Sequence, residues 1–179
     1  MVTNNNRRSV LAFTLFAFSL LLPGCTKPAA ENTQPGSSAE PPRIASVDVV
    51  KPTPEELTLA KGESGYANVR LQIQQGYHIN ANPASYSYLI ATELQLTPAS
   101  GIGVDFITYP DALTRQFPFA EKPLVVYEGE TVIKAMLKAG SSAETGKHNL
   151  SAKLRVQACD DQVCYAPGVI DLTIPVTIK

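Results

Sequence analysis

The chain has 179 residues and a nearly balanced charge, with 15 Lys and Arg against 16 Asp and Glu. This length fits one domain with an appended tail, and without a basic excess nothing supports binding to a nucleic-acid backbone. Fourteen prolines and no tryptophan argue against a long helical bundle. Three cysteines leave one thiol outside any pair within the chain.

The N-terminus has the pattern of a secretory signal. Two arginines precede an apolar run at residues 9–22, which is shorter than the roughly 20 residues needed to cross a bilayer. The next residues, LPGC at 22–25, resemble the lipobox of bacterial lipoproteins. The sequence therefore predicts a lipoprotein signal peptide at residues 1–24 and a lipid on Cys25. The alternative is an ordinary cleaved signal with a chance cysteine.

A polar segment separates Cys25 from the first apolar pattern. Residues 26–43 are rich in Pro, Ala, Ser and Glu, with almost nothing to bury, which predicts a disordered tether reaching ~25 Å. The predicted organisation is a lipidated Cys25 and linker at 25–43, followed by a folded domain at 44–179. Thr26 follows Cys25, where Asp is the usual inner-membrane retention signal. We therefore expect a bacterial, periplasm-facing membrane lipoprotein, with the outer membrane favoured over the inner.

Alternation of apolar and polar residues predicts four long, half-buried strands, at 67–74, 131–138, 148–157 and 169–179. Shorter strand candidates lie at 44–50, 92–96, 104–108 and 124–127. About eight short strands separated by Gly, Pro, Asn and Asp predict an all-β fold, an immunoglobulin-like antiparallel β-sandwich. Pro175 lacks an N–H for a sheet ladder, which predicts an edge or a bulge at that position of the last strand.

The two other cysteines, Cys159 and Cys164, lie in the loop between the last two long strands. Even-numbered residues of the preceding strand are predicted to face inward, so Cys159 falls on the outward face. In an oxidising compartment the two cysteines should pair. A loop this short yields only about 2 kcal/mol of stabilisation. These residues alone are compatible with a disulfide that rigidifies the loop and with one that is redox-active. Asp160 and Asp161 would raise the pKa values of the thiols.

A metal site is the weaker interpretation of the same residues. Cys159 and Cys164 with His78 and His148 have the right ligand chemistry for zinc or copper. The Cys-x4-Cys spacing is loose, however, and the two histidines are 70 residues apart. We predict no metal and no cofactor, and a surface strand position is the simpler expectation for both histidines.

Four segments carry a resemblance in order along the chain: QGYHINANP at 75–83, LTPASGIGVDFITYP at 96–110, LVVYEGE at 124–130 and LRVQACDDQVCYAP at 154–167. Together they resemble the N-terminal periplasmic domain of the thiol:disulfide interchange protein DsbD, over roughly residues 45–178. The resemblance implies an immunoglobulin-like sandwich with a redox-active disulfide and protein-disulfide reductase activity. It implies electron transfer from a membrane-embedded donor to periplasmic thioredoxin-fold proteins.

The resemblance also assigns residues to the site. Cys159 and Cys164 become the redox pair, with Cys164 as the sulfur that forms mixed disulfides with partners and Cys159 as the one that resolves them. A loop with an aromatic residue covers the disulfide in that family, and a nearby strand contributes further side chains. The corresponding cap or partner-contact candidates are Phe117, Phe119, Tyr109, Tyr77 and His78. Ordinary core packing is the alternative for the aromatic residues.

The chain also departs from the family pattern. Full-length members continue into a multi-span membrane domain and a C-terminal thioredoxin-like domain, and neither follows here. We therefore expect a stand-alone lipoprotein whose electron donor is a separate membrane protein. The alternative function is a non-enzymatic, lipid-anchored sandwich that binds a protein or an envelope component and keeps a structural disulfide.

Overall fold

The computed structural model describes residues 44–179, all of which belong to one compact unit. The predicted signal peptide, the lipidation site Cys25 and the predicted tether lie outside the described residues. Within 44–179 the regular secondary structure is entirely strand. No helix capable of crossing a membrane occurs in this part of the chain.

The described residues form twelve strands of two to eleven residues. In chain order they are β1 (Val50–Pro54), β2 (Leu57–Leu59), β3 (Ser64–Ile73), β4 (His78–Asn80), β5 (Glu93–Leu96), β6 (Ile102–Thr108), β7 (Leu113–Arg115), β8 (Leu124–Tyr127), β9 (Glu130–Ala139), β10 (Gly146–Val156), β11 (Ala158–Cys159) and β12 (Gly168–Ile178).

These strands form three four-stranded sheets. The order is β1-β3-β9-β6 in the first sheet, β2-β12-β10-β5 in the second and β11-β4-β8-β7 in the third. All neighbouring strands run antiparallel except β2 and β12, which are parallel. The predicted all-β, immunoglobulin-like antiparallel sandwich is confirmed.

The core is built by the inward faces of the long strands, as the alternation predicts. The side chains on these faces are 4% exposed or less, and they are Ala67, Val69, Leu71 and Ile73 of β3, Ile133, Ala135 and Leu137 of β9, Leu150, Ala152, Leu154 and Val156 of β10, and Ile174, Val176 and Ile178 of β12. Each large aliphatic side chain buried in this way contributes roughly 1.5–3 kcal/mol. Ile170 and Leu172 at the start of β12 are only partly buried, because they lie at the margin of this core.

The strand predicted at residues 44–50 is wrong. Residues 46–49 form a turn, and β1 begins only at Val50. The N–H of Asp48 donates to the carbonyl of Ala45 at 2.9 Å and closes the turn. Val49 still packs in the core. The apolar residues at 44–50 therefore reflect a turn that packs on the core, and not a strand.

Four strands, β2, β4, β7 and β11, were not predicted. Each has two or three residues, too few to show a period of two, so a pairing partner defines them. The prediction for Pro175 is confirmed, because β2 pairs only with Val176, Thr177 and Ile178 of β12. At Pro175 itself β12 has β10 as its single neighbour, and that side of the strand is an edge.

The third sheet positions the disulfide, because its two faces have different neighbours. Ile79 of β4, Tyr127 of β8 and Ala158 of β11 pack into the main core. His78 and Cys159 are register partners directly next to the Ile79–Ala158 pair. Since side chains alternate along a strand, His78 and Cys159 project from the opposite face of this sheet.

Candidate functional site

Cys159 and Cys164 form a disulfide across a tight β-hairpin. Backbone hydrogen bonds close the hairpin on both sides of the pair, from Asp160 to Val163 at 3.0 Å and from Tyr165 to Ala158 at 2.8 Å. The two cysteines are directly opposed, with Cα atoms 3.9 Å apart. The backbone hydrogen bonds of the hairpin therefore keep the two sulfurs adjacent without help from the disulfide bond itself.

The two sulfurs differ in accessibility. Cys159 is completely buried, whereas Cys164 is partly exposed. Cys159 faces away from the main core, as the alternation predicted. However, another part of the chain covers this face of the third sheet, so the Cys159 side chain does not reach water. An incoming thiolate therefore has access to Cys164 and not to Cys159.

A second apolar cluster covers this face, with Phe117, Leu124 and Val126 at its centre. The ring of Phe117 is 6% exposed and stacks on the imidazole of His78, with centroids 4.0 Å apart and 14° between the planes. Phe119 stacks in turn on Phe117 at 5.5 Å and 18°, and it is 39% exposed. The stacked rings thus run from the register partner of Cys159 to the protein surface.

A cleft of about 360 Å³ lies beside the accessible sulfur, Cys164. Tyr88, Leu89, Phe119 and Val163 contribute apolar walls to it. Tyr88 is 72% exposed and Val163 is 50% exposed. Exposed apolar side chains grouped around an accessible sulfur are typical of a protein contact surface.

A buried serine clamps both arms of the hairpin. The hydroxyl of Ser46 accepts a hydrogen bond from the N–H of Ala158 at 2.9 Å and donates one to the carbonyl of Ala166 at 2.6 Å. Ala158 directly precedes Cys159, and Ala166 lies two residues after Cys164. The turn at residues 46–49 is thereby joined to both arms of the hairpin.

Gln157 connects the same hairpin to the loop that carries Tyr88. Its Nε2 donates to the carbonyl of Tyr165 at 3.2 Å. Its Oε1 accepts from the N–H of Ile90 at 2.8 Å and from Nδ2 of Asn80 at 3.0 Å. One amide side chain therefore sets the position of the cleft wall relative to the disulfide.

An ionised carboxylate is fixed next to Cys159. Asp160 accepts hydrogen bonds at Oδ1 from the N–H groups of Gln162 (2.8 Å) and Val163 (2.9 Å), and at Oδ2 from the hydroxyl of Tyr165. The bond from Tyr165 is the main cause that holds the pKa of Asp160 below its usual value. The same bond raises the pKa of Tyr165 to about 12. The ring of Tyr77 lies 6.1 Å from that of Tyr165, so both tyrosines border the hairpin.

His78 is buried, so the expectation of a surface histidine is wrong for this residue. It is 3% exposed, and burial lowers its pKa against the opposing effect of Glu128, Asp161 and Asp160. Its Nε2 has no hydrogen-bond partner among the described residues. A second cleft, of about 530 Å³, lies along His78, Phe117 and Glu128.

Tyr109 and His148 lie away from the disulfide. The hydroxyl of Tyr109 accepts a hydrogen bond from the N–H of Leu94 at 3.1 Å, and its ring packs against the main core. Nε2 of His148 lies 2.6 Å from the carbonyl of Glu144. Of the five cap or contact candidates, the structure thus brings four to the disulfide and leaves Tyr109 elsewhere. Among residues 44–179 no group of three His, Cys, Asp or Glu side chains is arranged to hold a metal ion.

Four further residues at the site were not predicted from the sequence: Ser46, Tyr88, Leu89 and Gln157. Gln157 stands within the quoted segment LRVQACDDQVCYAP, so its position next to the cysteine motif was a usable signal. The other three reach the site from segments far away in the chain, and no local pattern marks them.

The fold and the site together define a class of protein: an all-β sandwich domain with a disulfide in a hairpin at its surface, one sulfur buried and the other accessible. The family model described as "Thiol:disulfide interchange protein DsbD, N-terminal" matches residues 46–173. The chain belongs to this family, as the sequence segments predicted. Its coarse assignment is therefore to thiol–disulfide interchange.

Two solved structures are among those with a similar chain path. The N-terminal domain of DsbD from Neisseria meningitidis, in the reduced form, has 17% identity and a TM-score of 0.48, covering 75% of this chain and 90% of that one. The N-terminal periplasmic domain of ScsB from Proteus mirabilis has 16% identity and a TM-score of 0.45, covering 72% of this chain and 45% of that one. The comparison with curated proteins found no match.

Proposed function

We propose that this chain is an extracytoplasmic thiol–disulfide exchange module that passes reducing equivalents through the Cys159–Cys164 disulfide. The observation that carries the proposal is the asymmetry of the pair. Cys164 is partly exposed in an apolar cleft, and Cys159 is buried beneath Phe117 and His78. Exchange needs one sulfur open to attack and a second that stays close, and a hairpin with this geometry supplies both.

The proposed reaction conserves atoms and electrons with no cofactor. A thiolate of the donor attacks Sγ of Cys164, forming a mixed disulfide and releasing the Cys159 sulfur, which takes up a proton. A second donor thiol then displaces Cys164, so the domain holds two electrons and two protons as a dithiol. With an acceptor, Cys164 forms the mixed disulfide and Cys159 resolves it.

The partners we propose are a membrane electron donor on a separate chain and thioredoxin-fold proteins of the periplasm. Tyr88, Phe119 and Val163 offer exposed apolar surface around Cys164, which suits docking of a protein on the accessible sulfur. A lipid on Cys25 would hold the domain at a periplasm-facing membrane, with the outer membrane favoured. Segment 26–43 would set its reach.

The reduction potential of the pair tests this function. In the full chain carrying Cys25→Ser, which leaves two thiols, we expect a potential between roughly -180 and -270 mV, the range of exchange proteins. We also expect the reduced protein to stay folded, because a bridge across so short a loop contributes only about 2 kcal/mol. A potential below roughly -300 mV, or unfolding on reduction, is the behaviour of a structural bridge. Either result would replace this proposal with the lipid-anchored binding module.

Partner trapping tests the roles of the two sulfurs. In the same background, Cys159→Ser leaves Cys164 free to form a mixed disulfide that nothing resolves, so we expect it to accumulate a complex with a thioredoxin-fold protein. Cys164→Ser is the matched control and should trap none, because Cys159 is buried. The reverse pattern would exchange the two roles.

A further inference from the structure

A buried imidazole faces the less accessible sulfur. His78 and Cys159 are register partners in the antiparallel pair of β4 and β11. Side chains at directly opposed positions share a face, with Cβ atoms ~4.5–5.5 Å apart. Both residues are 3% exposed or less, and the ring of Phe117 lies flat against that of His78 at 4.0 Å. The imidazole is therefore confined between Phe117 and the surroundings of Cys159.

The hydrogen bonding of this imidazole is incomplete in the oxidised protein. Nε2 of His78 is buried and has no partner among the described residues. A buried polar atom without a partner destabilises the state in which it occurs. The disulfide has no proton to offer, whereas a reduced Cys159 carries an S–H group, which is a hydrogen-bond donor. Reduction thus creates a donor at the register position opposite this ring, and Nε2 can accept from it in the tautomer that carries the proton on Nδ1.

We propose that Nε2 of His78 accepts the thiol proton of Cys159 when that sulfur resolves a mixed disulfide on Cys164. This inference rests on the proposed function and adds a base to it. As the Cys159–Cys164 bond forms, the bond from Cys164 to the partner sulfur breaks. The proton of Cys159 moves to Nε2, and the departing partner thiolate takes up a proton from the imidazolium or from water. In the opposite direction the same imidazolium returns the proton to Cys159.

The charges around the ring fit this role. Burial lowers the pKa of His78, so the ring is neutral near pH 7 and can accept a proton. The ionisable groups that face it are Glu128 at the end of β8 and Asp160 and Asp161 in the hairpin; Glu128 is paired with Arg115 of β7 at 3.1 Å. These carboxylates stabilise an imidazolium while it exists. Near neutral pH they disfavour a free Cys159 thiolate, so a base is needed.

The resolving step can be timed with a small disulfide, without a protein partner. The reduced full chain carrying Cys25→Ser is mixed with 5,5′-dithiobis(2-nitrobenzoate), which releases the coloured thiol in two phases. The first phase reports attack by the accessible Cys164, and the second reports displacement by Cys159. His78→Phe keeps a ring for Phe117 to stack on, and His148→Phe is the matched control.

In His78→Phe we expect the second phase to slow by about 100-fold at pH 7, the lower end of what a general base contributes, with the first phase unchanged within about twofold. The pH profile gives the decisive signature. With the histidine, the second-phase rate levels off between the pKa of His78 and that of the thiol. Without it, the rate rises about tenfold per pH unit up to the thiol pKa, as the thiolate fraction does. His148→Phe should behave as the parent does, and an unchanged second phase or a retained plateau in His78→Phe overturns the proposal.

A measurement on the unsubstituted ring covers the case in which His78→Phe does not fold. Nitrogen-15 NMR of the Cys25→Ser chain should show the Nε2 signal of His78 shifting on reduction, with that of His148 unchanged. An Nε2 signal that is the same in both redox states contradicts the proposal. Both readouts are independent of the reduction potential, so a failure of the base assignment is distinguishable from a failure of the exchange function.

Discussion

Replacing Ser46 by alanine removes one oxygen that serves two backbone groups of the disulfide hairpin. The two groups respond differently. The N–H of Ala158 belongs to a completely buried residue, so it stays unpaired at a cost of roughly 1–3 kcal/mol. Ala166 is exposed, so water replaces the hydroxyl at its carbonyl and only the net value of one hydrogen bond is lost, about 0.5–1.5 kcal/mol.

The expected loss for Ser46→Ala is the sum of these two costs, roughly 1.5–4.5 kcal/mol in the free energy of unfolding. Urea unfolding measures it, with an unchanged m-value as the sign that the denatured state is the same. The amide of Ala158 should also lose protection from hydrogen exchange. Ser151→Ala, at an exposed position of β10, is the matched control and should stay within about 0.5 kcal/mol of the parent.

A loss for Ser46→Ala no larger than that of the control would refute this reasoning. It would mean that the hairpin supports itself and that the contact with the N-terminal turn is incidental. Retained protection at the amide of Ala158 would indicate the same.

Three further outcomes follow from the geometry of the site. Phe117→Ala should lose roughly 3–5 kcal/mol of stability, as for a buried Phe→Ala change, and its disulfide should be reduced faster by dithiothreitol. Phe106 is exposed on β6, so Phe106→Ala should change neither the stability nor the rate of reduction. Ultraviolet titration should find Tyr165 ionising at about pH 12, and in Asp160→Asn that tyrosine should return toward pH 10, because its hydrogen bond then goes to a neutral amide. Asp160→Asn should also lower the thiol pKa of the reduced pair, because it removes a negative charge next to Cys159. Alkylation rates against pH measure that shift, and a thiol pKa no lower than that of the Asp105→Asn control would show that the carboxylate does not act on the sulfurs.

The ionised form of Asp160 also predicts a direction for acid stability. Its folded pKa lies below the ordinary value because it accepts three hydrogen bonds. Its contribution is therefore fully present above the unfolded pKa, near 3.9, and is lost as the pH falls through the lowered folded value. Asp160→Asn should remove this part of the acid dependence, as measured by urea unfolding between pH 5 and pH 2. An identical acid dependence in the variant would contradict the assignment.

The sequence alone determined the long strands, because in a half-buried strand apolar and polar residues alternate along the chain. From Leu150 to Val156 of β10 every second residue is apolar, and every one of those is in the core. The same pattern misled at residues 44–50, where apolar side chains belong to a turn held by Ser46. The very short strands could not be predicted in this way, since two or three residues are too few to show the alternation.

The cysteine pair and its outward parity were also readable from the chain, together with the family and the aromatic segment that contains Phe117. The resemblance pointed to this segment as the cover of the disulfide, but the burial of His78 under it and the contact from Ser46 were decided by tertiary structure. Alternation tells which side of a strand faces the core, but it holds no information about a segment that folds over the other side. For this reason His78 was expected at the surface and is buried, and Ser46 reaches the hairpin across 112 residues of chain. Tyr109 was expected at the site and lies against the main core, because a loose match along a loop does not specify where the loop goes.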